Sequence, residues 1–363
     1  MGEFQIQVKS ATQASYAAWV TKTAAGPTVT ASATVSAIIS SVAVPTGVTY
    51  DYVVVGAGAG GIPMADRLSE AGHSVLLIEK GIASSARWGG TIRPETGWLD
   101  GYNLTWFDIP GECNGIWNGG SVGVACTDTD QMAGCVLGGG TAVNAGLWWK
   151  PNPSDWDVSF LVGWKTADMA NATNRVLSRI PGTDHSSMDG KRCLQDDFNV
   201  IMDGLTMSNW TYVTANDHPE QKNRTFTHPP HMFSGGERGG PMATYLVSAN
   251  GRSNFHLWLN TSVERINRTG GHATSFDVVA TNNGGHAETV TLILTTGRVV
   301  VSAGTFGALK LLFRTGIGPV DQFQVVQAEE PTLMIEPSDW INLPVGYNLN
   351  DHLNTDTVIS HRM

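Results

Sequence analysis

The sequence predicts an α/β fold: a parallel sheet that takes up a dinucleotide, with antiparallel strands inserted into it and a second, incomplete domain on the substrate side. Three observations predict it. The run Tyr50-Asp51-Tyr52-Val53-Val54-Val55 leads into Gly56-Ala57-Gly58-Ala59-Gly60-Gly61, which fits G-x-G-x-x-G. A second glycine-rich stretch occupies residues 134–148. A series of short β-branched runs then fills residues 255–302. The first of these is the pattern of a Rossmann-like unit.

Residues 50–55 read as a buried parallel strand feeding a tight turn. Gly56 sits in that turn, Gly58 lets the backbone approach a pyrophosphate, and Gly61 lets a helix over 62–71 pack closely on the strand. The free N–H groups at that helix start face the anion, and Pro63 is tolerated there because its missing donor has no partner to lose. Ser74-Val75-Leu76-Leu77-Ile78-Glu79 is the second strand. It places Glu79 where a carboxylate accepts hydrogen bonds from ribose hydroxyls, and an acid at that position disfavours a ribose phosphate.

In the second stretch, Gly138, Gly139 and Gly140 allow backbone amides close to a phosphate or another bound group. Asn144, one helical turn after Thr141, can aim a side-chain amide at the same place. Pro241 is read as opening a helix that runs through Ala249. Strands are expected over 255–260, 262–267, 274–280 and 289–294, and Arg298 to Ser302 returns to the main sheet.

Composition narrows the function classes. The chain has 363 residues, enough for a large core, and only 15% of them are charged, with 42 glycines, which excludes disorder and coiled coil. A net charge of −10 offers no phosphate-attracting patch, so no nucleic-acid partner is expected. No run of eighteen apolar residues exists, so no membrane span is expected, and the start lacks the order of a signal peptide. Six N-x-S/T sequons, at Asn103, Asn171, Asn209, Asn223, Asn260 and Asn267, suggest passage through a secretory pathway and a secreted parent protein. Cys113, Cys126, Cys135 and Cys193 permit up to two disulfides. A bridge within the first three is favoured over a metal site, for which no ligand set is expected, and Cys193 is expected free and buried. The histidines are scattered, with His228 and His231 the one close pair, and read as structural.

Residues 134–148, Gly-Cys-Val-Leu-Gly-Gly-Gly-Thr-Ala-Val-Asn-Ala-Gly-Leu-Trp, resemble the first signature of the glucose-methanol-choline (GMC) oxidoreductases. Residues 298–318 resemble the second, with Ala308-Leu309 and Thr315 as departures. Residues 345–352 resemble a further recurring segment, and Val263 falls where members contact adenine. The resemblance, which covers about residues 48–361, implies FAD as cofactor. It also implies a site lined by Gly56, Gly58, Gly61, Glu79, Gly138, Gly139, Gly140, Thr141, Asn144, Val263, Ala303 and Gly304.

Within the family, several segments look like the flavodehydrogenase domain of ascomycete-type cellobiose dehydrogenases: residues 128–135, Trp148-Trp-Lys-Pro151, Arg179-Ile-Pro-Gly-Thr183, Asp189-Gly-Lys-Arg192, Lys222-Asn-Arg-Thr-Phe226 and Leu343-Pro-Val-Gly346. Many other members carry Arg-Gly where Lys150-Pro151 stands. That branch implies oxidation of the anomeric hydroxyl of cellobiose or a related β-1,4-linked sugar to a lactone. Electrons would pass to a cytochrome domain, absent here, and onward to copper polysaccharide monooxygenases.

The expected organisation is a cytochrome-domain remnant over 1–22, a Ser/Thr/Ala linker over 23–47 and an FAD-binding core over 48–150. A partial substrate-side region over 151–240, the core continued over 241–320 and the start of a truncated substrate domain over 321–363 follow. The family's catalytic histidine is expected beyond Met363. No catalytic residue is therefore assigned to this chain, and little turnover is expected of it.

Overall fold

The computed structural model describes residues 48–94, 97–116, 123–128, 133–193, 195–293 and 295–349. The expected cytochrome remnant, the linker and residues 350–352 of the segment 345–352 lie outside them. Ser36–Val345 form one compact unit, and of a second, Met1–Val35 with Gly346–Met363, only 346–349 are described. Within the larger unit the chain runs β1 (Tyr52–Val55), α1 (Gly61–Glu70), β2 (Val75–Ile78), then a long excursion before β2 gains its next neighbour. That excursion holds α2 (Cys113–Ile116), α3 (Gly140–Val143), α4 (Pro153–Ser159), α5 (Thr166–Arg179) and α6 (Gln195–Met207). It also holds the short pairs β3 (Thr211–Tyr212) with β4 (Thr225–Phe226) and β5 (Phe233–Ser234) with β6 (Glu237–Arg238).

After α7 (Tyr245–Asn250) the strand β7 (Phe255–Trp258) joins β2. The antiparallel meander β8 (Thr261–Thr269), β9 (His272–Ala280) and β10 (Glu288–Thr291) precedes β11 (Arg298–Val301), which pairs with β1. The main sheet is parallel in the order β11-β1-β2-β7. α8 (Gly304–Arg314), β12 (Ile317–Gly318), α9 (Val320–Glu329) and β13 (Ile341–Asn342) complete the unit.

Side-chain alternation explains the layers, since successive residues of a strand face opposite sides of the sheet. Val54, Val75 and Leu77 pack with Ile62 and Ala65 of α1 and Leu246 and Ala249 of α7. Val53, Val55, Leu76 and Ile78 pack on the other side with Val263, Ile266 and Phe276 of the meander and Leu311 of α8. A parallel strand covered on both faces has to be apolar at every position, and β2 is buried throughout. The inserted antiparallel strands are therefore the second covering layer of the nucleotide sheet.

Several boundaries differ from those expected. The helix expected from Pro241 begins only at Tyr245, because the Pro241 carbonyl is spent on a turn, accepting from the N–H groups of Thr244 and Leu246. The strand expected over 289–294 covers 288–291. The polar stretch 151–235 folds into α4, α5 and α6, none of which contains a fully buried residue. Among the described residues no helix is long and apolar enough to cross a membrane.

Candidate functional site

A cavity of about 520 Å³ opens at the carboxyl ends of β1 and β2, a size in the range of cofactor sites. Five separated stretches of chain line it, the first three being Gly56 with Gly58 to Gly60, then Glu79 and Lys80, then Gly134, Gly139, Gly140 and Val143. Thr261 to Val263 and Ser302 to Gly307 complete the main walls.

Gly56 holds the first turn at φ +97°, where a Cβ would sit 2.4 Å from the Ser302 carbonyl oxygen. A Cβ on Gly61 would lie 1.8 Å from the Gly56 carbonyl oxygen, so α1 reaches the loop only without side chains there. Gly58 is different: its nearest neighbour to a Cβ would be the Gly139 Cα, 4.0 Å away, and a Cβ on Gly140 would meet nothing. These two positions are bare backbone facing open space, as an approaching phosphate requires. The two glycine loops are tied together, with the Gly138 N–H donating to the Ala57 carbonyl at 2.8 Å.

Glu79 is buried on the cavity wall. Its Oε2 accepts from the Ala57 N–H and its Oε1 from the Gly81 N–H, both at 2.9 Å. Burial pushes its carboxyl above the usual carboxylate range, against the pull of those two hydrogen bonds. Each oxygen keeps a lone pair for a hydroxyl donor.

Of the residues expected to line the site, Gly56, Gly58, Glu79, Gly139, Gly140, Val263, Ala303 and Gly304 stand on this wall. Gly61, Gly138, Thr141 and Asn144 stand behind it. The Thr141 hydroxyl donates to the Gly138 carbonyl, and the Asn144 amide oxygen accepts from Arg238 Nη1 and from the Gly146 N–H, both at 3.0 Å. Arg238, buried, also donates to the carbonyls of Phe107, Thr141 and Asn144, and so fixes the end of the second glycine loop. Its role was not legible, because the contact spans 94 residues between an arginine and an asparagine of no shared motif.

Lys80, Asp128 and Lys310 also line the cavity, with the Asp128 carboxylate 3.0 Å from Lys80 Nζ and 3.5 Å from Lys310 Nζ. Cys126 and Cys135 are joined in a disulfide. With Asp128 they form a group of metal-ligating type, but the bridge removes both thiolates. Cys193 is free, as expected, but exposed rather than buried, because it precedes α6 on the surface of the substrate-side region.

A family model described as GMC oxidoreductase matches residues 114–354. The chain belongs to the GMC oxidoreductase family. A model described as an NAD(P)-binding Rossmann-like domain matches residues 54–107. Among relatives of this GMC chain, the oxygen-dependent choline dehydrogenase of Vibrio vulnificus is 29% identical over 322 residues, covering 84% of the chain and 52% of the relative. The ecdysone oxidase of Spodoptera littoralis is 26% identical over 349 residues, covering 85% and 51%.

Of solved structures, a formate oxidase variant from Aspergillus oryzae superposes with a TM-score of 0.54 at 19% identity, covering 77% of this chain and 49% of that one. Pyridoxine 4-oxidase superposes with a TM-score of 0.53 at 18% identity, covering 76% and 53%, and both likenesses concern the fold. The chain spans about half the length of the relatives it matches. The cofactor of this GMC chain is FAD. The residues present fit it: open backbone at Gly58 and Gly140, the N-cap of α1, Gly60, on the cavity wall, and a buried carboxylate at Glu79.

Proposed function

We propose that this chain is the FAD-holding part of a dehydrogenase that oxidises the anomeric C1 hydroxyl of cellobiose or cello-oligosaccharides to the lactone, passing electrons to a haem domain or another acceptor. The observation that carries the cofactor half of this reading is the convergence of five separated segments on one cavity, with Glu79 hydrogen-bonded into the first glycine loop. The sugar half rests on Lys150-Pro151 and the accompanying branch segments of the sequence. When bound, FAD supplies the hydride acceptor. The chain's own residues bind and orient it: Gly58 and Gly140 leave room for phosphate and ring, Glu79 takes the ribose, and Arg238 holds the second glycine loop in place.

A second reading, an alcohol oxidoreductase of other specificity, is favoured by relatives named for choline and ecdysone. Anaerobic addition of cellobiose or choline to the FAD-loaded whole protein separates the two. Bleaching of the flavin band by cellobiose and not by choline is the expected result. Bleaching by choline alone selects the second reading.

A secretory route, suggested by the sequons, would place the protein where oxidised cysteines persist, and the Cys126–Cys135 bridge is consistent with that.

A further inference from the structure

The wall of the cavity beside Glu79 and Val263 carries a feature that no glycine motif accounts for. Asp128 reaches across to two ammonium groups from separate stretches of chain: Lys80, two residues past the end of β2, and Lys310, in α8. The three side chains are 33–40% exposed, so each ion pair alone is weak. What distinguishes them is their bracing. Cys126, two residues before Asp128, is bonded to Cys135, three residues before Gly138. Backbone bonds run beside the bridge, from the Cys126 N–H to the Ala133 carbonyl and from the Cys135 N–H to the Val124 carbonyl, each at 2.8 Å. The Cys135 carbonyl packs against Gly81, where a Cβ would lie 1.9 Å away, so the bridge is seated on the residue after Lys80.

We propose that Asp128, Lys80 and Lys310, braced by the Cys126–Cys135 disulfide, form a redox-sensitive clasp that retains the cofactor. The proposal rests on the FAD-binding reading above. With the disulfide closed, Asp128 is held between β2 and α8, and the cavity wall is cross-linked to the loop that ends in Gly138-Gly139-Gly140. A dithiol reductant delivers two electrons and two protons. The S–S bond breaks, two thiols form, and the dithiol closes to its own cyclic disulfide. Asp128 then loses its covalent anchor, leaving two backbone hydrogen bonds and two exposed ion pairs, a weaker restraint on the loop. The Asp128 carboxyl lies below the ordinary carboxylate range because hydrogen bonding and charge from Lys80, with Lys310 adding charge, outweigh its desolvation. The carboxylate therefore stays ionised in the clasp.

The test uses the purified chain loaded with FAD. Flavin release is followed by recovery of flavin fluorescence on dilution, with and without dithiothreitol. Asp128→Asn is expected to speed release about 3- to 10-fold. Cys126→Ser with Cys135→Ser is expected to speed it at least as much. Dithiothreitol should reproduce the effect in the wild type and add nothing in the double variant. Amide hydrogen exchange at Gly134 to Gly140 is measured in parallel on the FAD-free chain, where reduction should raise it. Release rates and exchange unaltered by reduction overturn the clasp. A wild type that takes up no FAD overturns the cofactor reading instead, and the exchange measurement then judges the clasp by itself.

Discussion

The Glu79 carboxylate and the Ala57 N–H, 22 residues apart, are joined by a 2.9 Å hydrogen bond that ties the end of β2 into the first glycine loop. The same carboxylate is thus both a part of the cradle and its ribose acceptor. Glu79→Ala removes a charged acceptor from a buried donor and from the ribose. It is expected to weaken FAD binding about 10- to 100-fold, the value of hydrogen bonds to a charged group. Equilibrium titration of the apo chain with FAD reads this directly.

Gly56 and Gly58 are two residues apart and should fail in different ways. Gly56→Ala forces a side chain to φ +97° and into the Ser302 carbonyl, so loss of folding is expected. Gly58→Val has room for its Cβ, so the fold should persist while the added methyls fill space meant for the cofactor. Circular dichroism should separate the first variant from wild type, and FAD titration the second.

Asp66 is wholly buried in α1 and accepts from Arg179 Nη1 at 2.9 Å and Arg252 Nη1 at 2.7 Å. Arg179 also lies 4.0 Å over the Tyr245 ring, and it anchors α5, a helix that buries no residue of its own. Asp66→Ala takes from two neighbouring guanidinium groups the buried carboxylate they share and should cost about 3 kcal/mol. A urea unfolding curve checks this. A shift in midpoint below what a surface substitution gives would contradict it.

Burial, with the Glu288 carboxylate nearby, pushes the Tyr50 phenol from 10.0 up to about 12. The folded chain therefore holds this proton where the unfolded chain has lost it, and stability falls as pH rises between 10.0 and about 12. Tyr50→Phe should flatten that alkaline decline and leave stability at lower pH with no such slope to lose. Denaturant midpoints on either side of pH 10 measure it.

Glu330 shows the opposite sign. Hydrogen bonds from Arg314 at 2.6 Å, first among its causes, hold its carboxyl below 4.5. The stability it contributes is present above pH 4.5 and lost as pH falls through the lower folded value. Glu330→Gln should remove part of the acid-side decline in unfolding experiments.

What could be read in the sequence was local. The strand before Gly56, the helix after Gly61 and the acid at 79 lie within thirty residues, and each follows from a spacing rule that acts along the chain. The strands of residues 255–301 were legible because alternation and β-branching mark them, although Pro241 misplaced the start of α7. The Asn144 amide oxygen is taken up by Arg238 and the Gly146 N–H, a pairing that no spacing rule along the chain announces. Arg238, Lys310 and Asp128 escaped because their partners lie 48 to 182 residues away, and nothing in a linear pattern says which charges the topology will bring together.

The central claim, that this cavity holds FAD, is tested most directly by gel filtration of the purified chain after incubation with FAD, with Glu79→Ala and Gly58→Val run beside it. A flavin absorption band is expected to travel with the wild-type protein and to be lost or strongly reduced in both variants. A wild type that emerges colourless, or variants that carry as much flavin as the wild type, would contradict it.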